Sequence, residues 1–280
     1  MSSTRLLAAA GAAVLLAMPA ARAADLGVPP PCGAPGAPSC VAPAAFEVSG
    51  WYLRGDIGMS NQKVSSLDNV ANGPVTTQFL SFDSAPIFDV GIGYQINSWL
   101  RVDATAEYRA NAHFHGQQVV TFGAAPTVLP DDYNASKSEW LFLANAYVDL
   151  GTWWNVTPFI GAGIGAARNT ITSFVDQGAT QSGATILSTT YGADASKWNF
   201  AWAAYAGLAY QVTPAFTVEM SWRYLNLGDA TTGPTAAFDG SFSGATPFQF
   251  KDITSQDVRL GVRWMLDAPP PPPPPLMRRG

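Results

Sequence analysis

The chain has 280 residues, of which only 12% are charged and 48% are hydrophobic, with 26 Gly and 9 Trp. A soluble domain carries about 25% charged residues, and so apolar a chain is not disordered. The formal net charge of −5 argues against nucleic acid as a partner.

Residues 1–23 read as a signal peptide. Arg5 supplies a positive charge, Leu6 to Ala17 is apolar, and Ala21-Arg22-Ala23 places small residues where a signal peptidase cuts, so cleavage is expected after Ala23. Residues 24–46 form a Pro-rich leader, expected in the periplasm, that holds Cys32 and Cys40. In an oxidising compartment these two are expected to form a local disulfide, with two free thiols as the alternative. Two thiols without a nearby His make a poor metal site, and neither a metal nor a cofactor is expected.

Eight strand-like segments follow. The first, 47–59, sets Trp51, Leu53, Ile57 and Met59 against Tyr52, Arg54 and Asp56. The second, 85–96, sets Phe88, Val90, Ile92 and Tyr94 against Asp89, Gly91, Gly93 and Gln95. The third, 99–110, alternates most regularly: Leu100, Val102, Ala104, Ala106 and Tyr108 oppose Arg101, Asp103, Thr105, Glu107 and Arg109. The fourth, 139–150, carries Trp140, Phe142 and Val148 on one face, and the fifth, 158–168, is Gly-rich. The sixth, 198–212, and the seventh, 215–225, repeat the pattern, with Glu219 and Arg223 opposite Val218, Met220 and Trp222. The eighth, 253–266, sets Val258, Leu260, Val262, Trp264 and Leu266 against Asp257, Arg259, Gly261, Arg263 and Met265.

A period of two means one apolar and one charged face. In a soluble sandwich the apolar face points inward; in an outer-membrane barrel it points to lipid and the charges fill the lumen. The connections decide between them. Asn97-Ser98, 151–157 and Thr213-Pro214 are short, whereas 60–84, 111–138, 169–197 and 228–252 are long and rich in Ser, Thr, Asn, Asp and Gly. Short periplasmic turns alternating with long extracellular loops mark outer-membrane barrels. Aromatic residues cluster at both strand ends: Trp51, Tyr94, Trp99 and Trp264 near the short turns, Phe88, Tyr108, Trp140 and Trp198 toward the long loops. Amphipathic rings prefer the headgroup level. The predicted fold is therefore all-β, a closed eight-stranded antiparallel transmembrane barrel over 47–266, with both termini in the periplasm and a Pro-rich tail over 267–280.

Several motifs carry a resemblance. The start Ala23-Ala24-Asp25-Leu26 with Pro29-Pro30-Pro31, the run Gly50-Trp51-Tyr52-Leu53-Arg54-Gly55-Asp56-Ile57-Gly58, and the closing Val258-Arg259-Leu260-Gly261-Val262-Arg263-Trp264 resemble the opacity-protein-like, outer-membrane immunogenic protein family. These are small porin-like surface antigens of Gram-negative bacteria. The resemblance implies an eight-stranded barrel, lipid and lipopolysaccharide as surroundings, and insertion by the barrel-assembly machinery. Family members commonly finish at an aromatic residue; here Leu266 takes that place, with Trp264 two positions before it.

By phase, Arg54, Asp56, Asp89, Arg101, Asp103, Glu107, Arg109, Asp149, Glu219, Arg223, Asp257, Arg259 and Arg263 face the lumen. An eight-stranded interior is just wide enough for side chains, so these charges are expected to pair and plug it; an ion-conducting pore is the alternative. His113 and His115 fall on the face of Arg109, with Asp131 and Asp132 in the same predicted loop, but no third fixed partner completes a metal or hydrolase site. Gly161-Ala162-Gly163-Ile164-Gly165 lacks a following Lys-Ser/Thr and reads as space for lumen side chains, not as a phosphate loop. Pro269 to Pro275 should form a polyproline II rod. The expected role is structural: envelope integrity and display of four loops to host, phage or neighbouring cells, with no catalytic residues. A narrow porin, a lipid-modifying enzyme and a soluble lipocalin-like carrier are the alternatives.

Overall fold

A computed structural model describes residues 49–69, 75–122, 127–181, 185–241 and 243–267. Eight long strands form a ring: β1 (Gly50–Lys63), β2 (Ala85–Gln95), β3 (Leu100–Phe122), β4 (Thr127–Asp149), β5 (Val156–Gln181), β6 (Ala195–Gln211), β7 (Phe216–Thr231) and β8 (Gln249–Met265). Each pairs antiparallel with the next in the chain, and β8 returns to β1, with Trp264 opposite Leu53 and Leu260 opposite Ile57. Closure leaves the barrel no free edge, so its backbone groups are satisfied within the sheet. Among the described residues no helix is long and apolar enough to cross a membrane; here the strands cross it. The segment expected to be a signal peptide, both cysteines and the proline tail lie outside the described residues.

Most of the strands are longer than the alternation predicts. Segment 111–138, predicted as a loop, is mostly a two-stranded ribbon continuing β3 and β4, in which Phe114 opposes Ala135 and Val120 opposes Leu129. β5 likewise runs on to Gln181, paired with a shorter strand over Thr185–Gly192. Further short strands add to this end: Val75–Phe82 on β3, Ser66–Asp68 on β8, and Thr235–Ala237 between Thr185–Gly192 and Ser243–Ala245. Ser, Thr and Asn made these stretches look like loops. Cross-strand pairing holds them extended in spite of that composition.

The polarity of the wall is unambiguous. Ile57, Val90, Leu260, Val262, Phe200 and Trp222 are exposed on the outside, while Arg101, Arg109, Arg223 and Asp257 are completely buried within the ring. An apolar exterior around a charged interior suits hydrocarbon outside. Ring pairs on the outer face stand at both rims: Trp51 with Tyr94 (5.3 Å between centroids) at the short-turn end, and Tyr108 with Trp140 (5.1 Å) and Trp202 with Tyr224 (5.5 Å) further up. The short turns are built for reversal. Asn97 Oδ1 accepts hydrogen bonds from the amides of Trp99 (2.9 Å) and Leu100 (2.8 Å), and Gly151 takes φ 116°, which disfavours any residue with a Cβ.

At the long-loop end the interior changes material. Phe82, Phe114, Tyr133, Phe174, Phe248 and Phe250 are buried together, with Phe174 and Phe248 centroids 4.7 Å apart and Phe114 and Phe250 4.9 Å apart. Ile171, Leu225, Leu227 and Ile253 join them. An aromatic cap thus closes the extension above the charged section.

Because Leu260 faces hydrocarbon near mid-strand, Leu260→Arg should destabilise the folded barrel by about 2–4 kcal/mol. Urea-induced unfolding in lipid vesicles measures this; a change below measurement error would contradict the assigned outer face.

Candidate functional site: the ion-paired lumen

The lumen side chains come from all eight strands, and alternation aims them inward. They form two connected ionic clusters. In the lower one, toward the short turns, Arg101 (β3) reaches Asp149 and Glu219, each at 3.2 Å. Glu219 (β7) also faces Arg263 (3.4 Å) and Arg54 (3.7 Å). Arg54 holds Asp56 (2.9 Å) and Asp103 (2.8 Å), and Arg259 pairs with Asp56 (3.1 Å) and closely with Asp89. In the upper cluster Arg223 bridges Glu107 (2.6 Å) and Asp257 (2.7 Å), and Arg109 contacts Glu107 (3.0 Å), Asp257 (2.9 Å) and Glu139 (2.6 Å). Arg263 is half-buried; the other lumen charges named from the alternation are buried.

Neutral groups complete the packing. The Arg101 guanidinium lies between the rings of Tyr147 (4.3 Å) and Phe159 (4.6 Å), a geometry in which each ring face attracts the cation. Asn145 donates to Asp103 (2.8 Å) and accepts from the Tyr205 hydroxyl (2.9 Å). Two glycines make room at this level. A Cβ at Gly93 would sit 2.2 Å from the Tyr52 ring, and one at Gly261 would sit 2.2 Å from Asp56 Oδ1. A buried charge without a partner costs several kcal/mol. Two glycines in the wall are therefore part of the ionic network's geometry.

Two members of the upper cluster, Lys137 and Glu139, stand outside the lumen charges named from the alternation. Lys137 is fully buried, pairs closely with Glu139 and donates to Gln62 Oε1 at 2.9 Å. Lys137 lay in the predicted loop, although the alternation 133, 135, 137, 139 continues unbroken through it and points all four inward. Glu139 opposes Trp140 by the same phase that places Phe142 outside.

The histidines do not face the lumen. A β-bulge between Arg109 and Ala112 inserts one extra residue in β3, so beyond it the even-numbered residues turn inward. Ala112 and Phe114 are buried, whereas His113 and His115 are exposed on the outer face. His115 Nδ1 lies 3.0 Å from Asn134 Oδ1 and His113 Nδ1 lies 3.3 Å from the Ser136 hydroxyl. Asp131 turns inward and Asp132 outward, which separates the two acids. Among the described residues no group of three or more His, Cys, Asp and Glu could hold a metal ion.

In the extension, above the aromatic rim, burial raises the Asp176 carboxyl to about 7, with Asp131 adding repulsion, and burial raises Asp131 to about 6.

Architecture and lumen together define a class: integral outer-membrane β-barrels. Residues 8–265 match the family described as the outer membrane protein beta-barrel domain, and the chain belongs to that family. It is 30% identical over 247 residues to an uncharacterized protein of Brucella suis biovar 1, covering 78% of this chain and 85% of the relative. It is 29% identical over 200 residues to the outer membrane protein PagN of Salmonella typhimurium, covering 64% of this chain and 75% of that protein. Among solved structures it resembles Neisserial surface protein A (16% identity, TM-score 0.43, 79% of this chain and 100% of that one). It also resembles OprG from Pseudomonas aeruginosa (14% identity, TM-score 0.45, 78% and 97%). The protein is thus an outer-membrane barrel in a lipid and lipopolysaccharide environment.

Two outcomes follow from the charge geometry. Arg223→Ala leaves the buried Glu107 and Asp257 short of a partner and should cost about 3–5 kcal/mol. Lys251→Ala removes a half-exposed partner of Asp229 and should cost less than about 1 kcal/mol; urea titrations of both variants check the contrast, and equal losses would refute it. Asp131 and Asp176 bind protons more tightly folded than unfolded, so the extension should loosen as pH rises from about 4 to about 7. Amide exchange of 131–137 and 171–178, faster at pH 8 than at pH 5 after correction for the intrinsic rate, is the expected signature; no difference would contradict it.

Proposed function

We propose that this protein is a closed structural anchor and surface antigen of the outer membrane, not a pore. The observation that carries this reading is the filled interior. Two ion-paired clusters occupy the membrane section, and an aromatic cap lies above them. A wide diffusive channel needs about 16 strands, and an interior of eight is filled by side chains. Envelope integrity and loop-mediated contact with host, phage or neighbouring cells are the roles such an anchor can serve. The barrel holds its position because every backbone group is satisfied within lipid, and the ribbons above it tolerate sequence change.

In this reading the short turns and both termini lie in the periplasm, and the extended ribbons stand outside the cell. Residues 1–23 direct export, 24–46 form a leader with a Cys32–Cys40 disulfide, 47–266 form the barrel, and 267–280 form a solvated tail. The barrel-assembly machinery inserts the chain, with Trp264 on the last strand as its aromatic signal. No catalytic residue is assigned.

The test is planar-bilayer recording of the purified, folded protein. The expected result is no steady single-channel steps. Steady steps that change when Arg101 or Arg223 is neutralised would overturn the closed-anchor reading in favour of a narrow ion channel.

A further inference from the structure

The outer face of the extension carries a feature that anchoring does not use. Val75–Phe82, β3, β4 and β5 lie side by side there, and their register aligns two outward rows. One runs Phe79, Gln117, Asp132, Gln177; the other runs Ser81, His115, Asn134. All seven side chains are exposed. With strands about 4.8 Å apart, a four-residue row spans about 14 Å. The rows line a cleft of about 500 Å³, within the range of roughly 300–1,000 Å³ usual for small-ligand sites.

The lining is specific in its chemistry. Phe79 is 66% exposed, and its outward cross-strand neighbour is Gln117. Its ring is an apolar plate in a polar field, and no packing of the core accounts for it. Around it stand planar polar groups: the amides of Gln117, Gln177 and Asn134, which donate and accept, and the carboxylate of Asp132, which accepts. The 3.0 Å hydrogen bond from His115 Nδ1 to Asn134 Oδ1 fixes the Asn134 amide and leaves its NH₂ free to donate outward. Among the described residues no Lys or Arg lines the cleft, so a sulfate or phosphate would find Asp132 there and no guanidinium or ammonium group.

We propose that this cleft binds an uncharged oligosaccharide. A sugar ring offers one face of C–H groups, which stacks on Phe79, and a rim of paired hydroxyls, which the amides and Asp132 take up. The position agrees. His115 lies seven residues beyond Tyr108 on β3, about 18 Å above the aromatic rim for a strand rise of about 3.3 Å per residue and a tilt near 40°. At that height the neighbours are saccharides, not acyl chains. The same chemistry can come from neutral hexose segments of the lipopolysaccharide beside the barrel or from an uncharged glycan on another cell. The proposal rests on the reading that the ribbons are displayed outside.

The experiment uses the full protein in lipid nanodiscs and three probes: a neutral hexose oligosaccharide of the outer core type, free of sugar acid and phosphate, an array of uncharged animal-type glycans, and heparin as a charged control. Binding of either uncharged probe, weakened about tenfold or more by Phe79→Ala and by Asp132→Ala and kept by Phe79→Trp, is the expected result. Core binding places the partner in the same membrane, and array binding places it on another surface. An unchanged gel shift on boiling shows that the variants remain folded. No uncharged binding, binding indifferent to both Ala variants, or binding of heparin alone would overturn the proposal. Display is checked separately with Phe238→Cys, Cys32 and Cys40 being replaced by Ser, and an impermeant maleimide on intact cells. Labelling without saccharide binding removes only the saccharide site, whereas absence of labelling removes the display reading and this inference with it.

Discussion

A hydrocarbon layer offers no hydrogen-bond partner, and every feature of this barrel answers to that. The backbone must pair with itself, which forces the ring to close between β8 and β1. Side chains that hydrogen-bond must then turn inward, where eight strands leave room for little but the side chains themselves. The Arg–carboxylate pairs are what makes such an interior tolerable. A lone buried ion is unstable, but Arg223 between Glu107 and Asp257, or Arg54 between Asp56 and Asp103, meets its charge within 3 Å.

The pairs also tie together strands that do not touch in the wall. Arg223 on β7 reaches Glu107 on β3, Arg54 on β1 reaches Asp103 on β3, and Arg109 on β3 reaches Asp257 on β8. A slip of one residue in any strand would turn its charges to lipid and its apolar side chains to the lumen. The network therefore specifies register as well as satisfying charge. Above it, the aromatic cap of Phe114, Phe174, Phe248 and Phe250 supports the ribbons from inside, so their outer faces are free of packing duties and can carry polar recognition groups.

Much of the charged interior is legible from alternation alone. Arg101, Asp103, Glu107 and Arg109 share a face because a strand repeats every two residues, and the same count assigns Glu219, Arg223, Asp257 and Arg259 to one face each. The same count misplaces His113 and His115, because a bulge adds a residue without any composition signal strong enough to locate it. Composition, not the count, hides Lys137, whose Ser- and Asn-rich neighbours look like a loop, and with it the aromatic cap, whose members are scattered from Phe82 to Phe250. Ribbon strands here are held by cross-strand partners, which a local window does not contain.

The linear chain by itself determined the alternating faces, the order of short and long connections and the low charge that suits a lipid-facing wall, since these depend only on side-chain period and composition. Only the tertiary structure decided which charges meet across the lumen, where the phase of β3 reverses, and that Phe79, Gln117, Asp132 and Gln177 form one row. Those relations arise from ring closure and strand register, which bring together residues far apart in the chain.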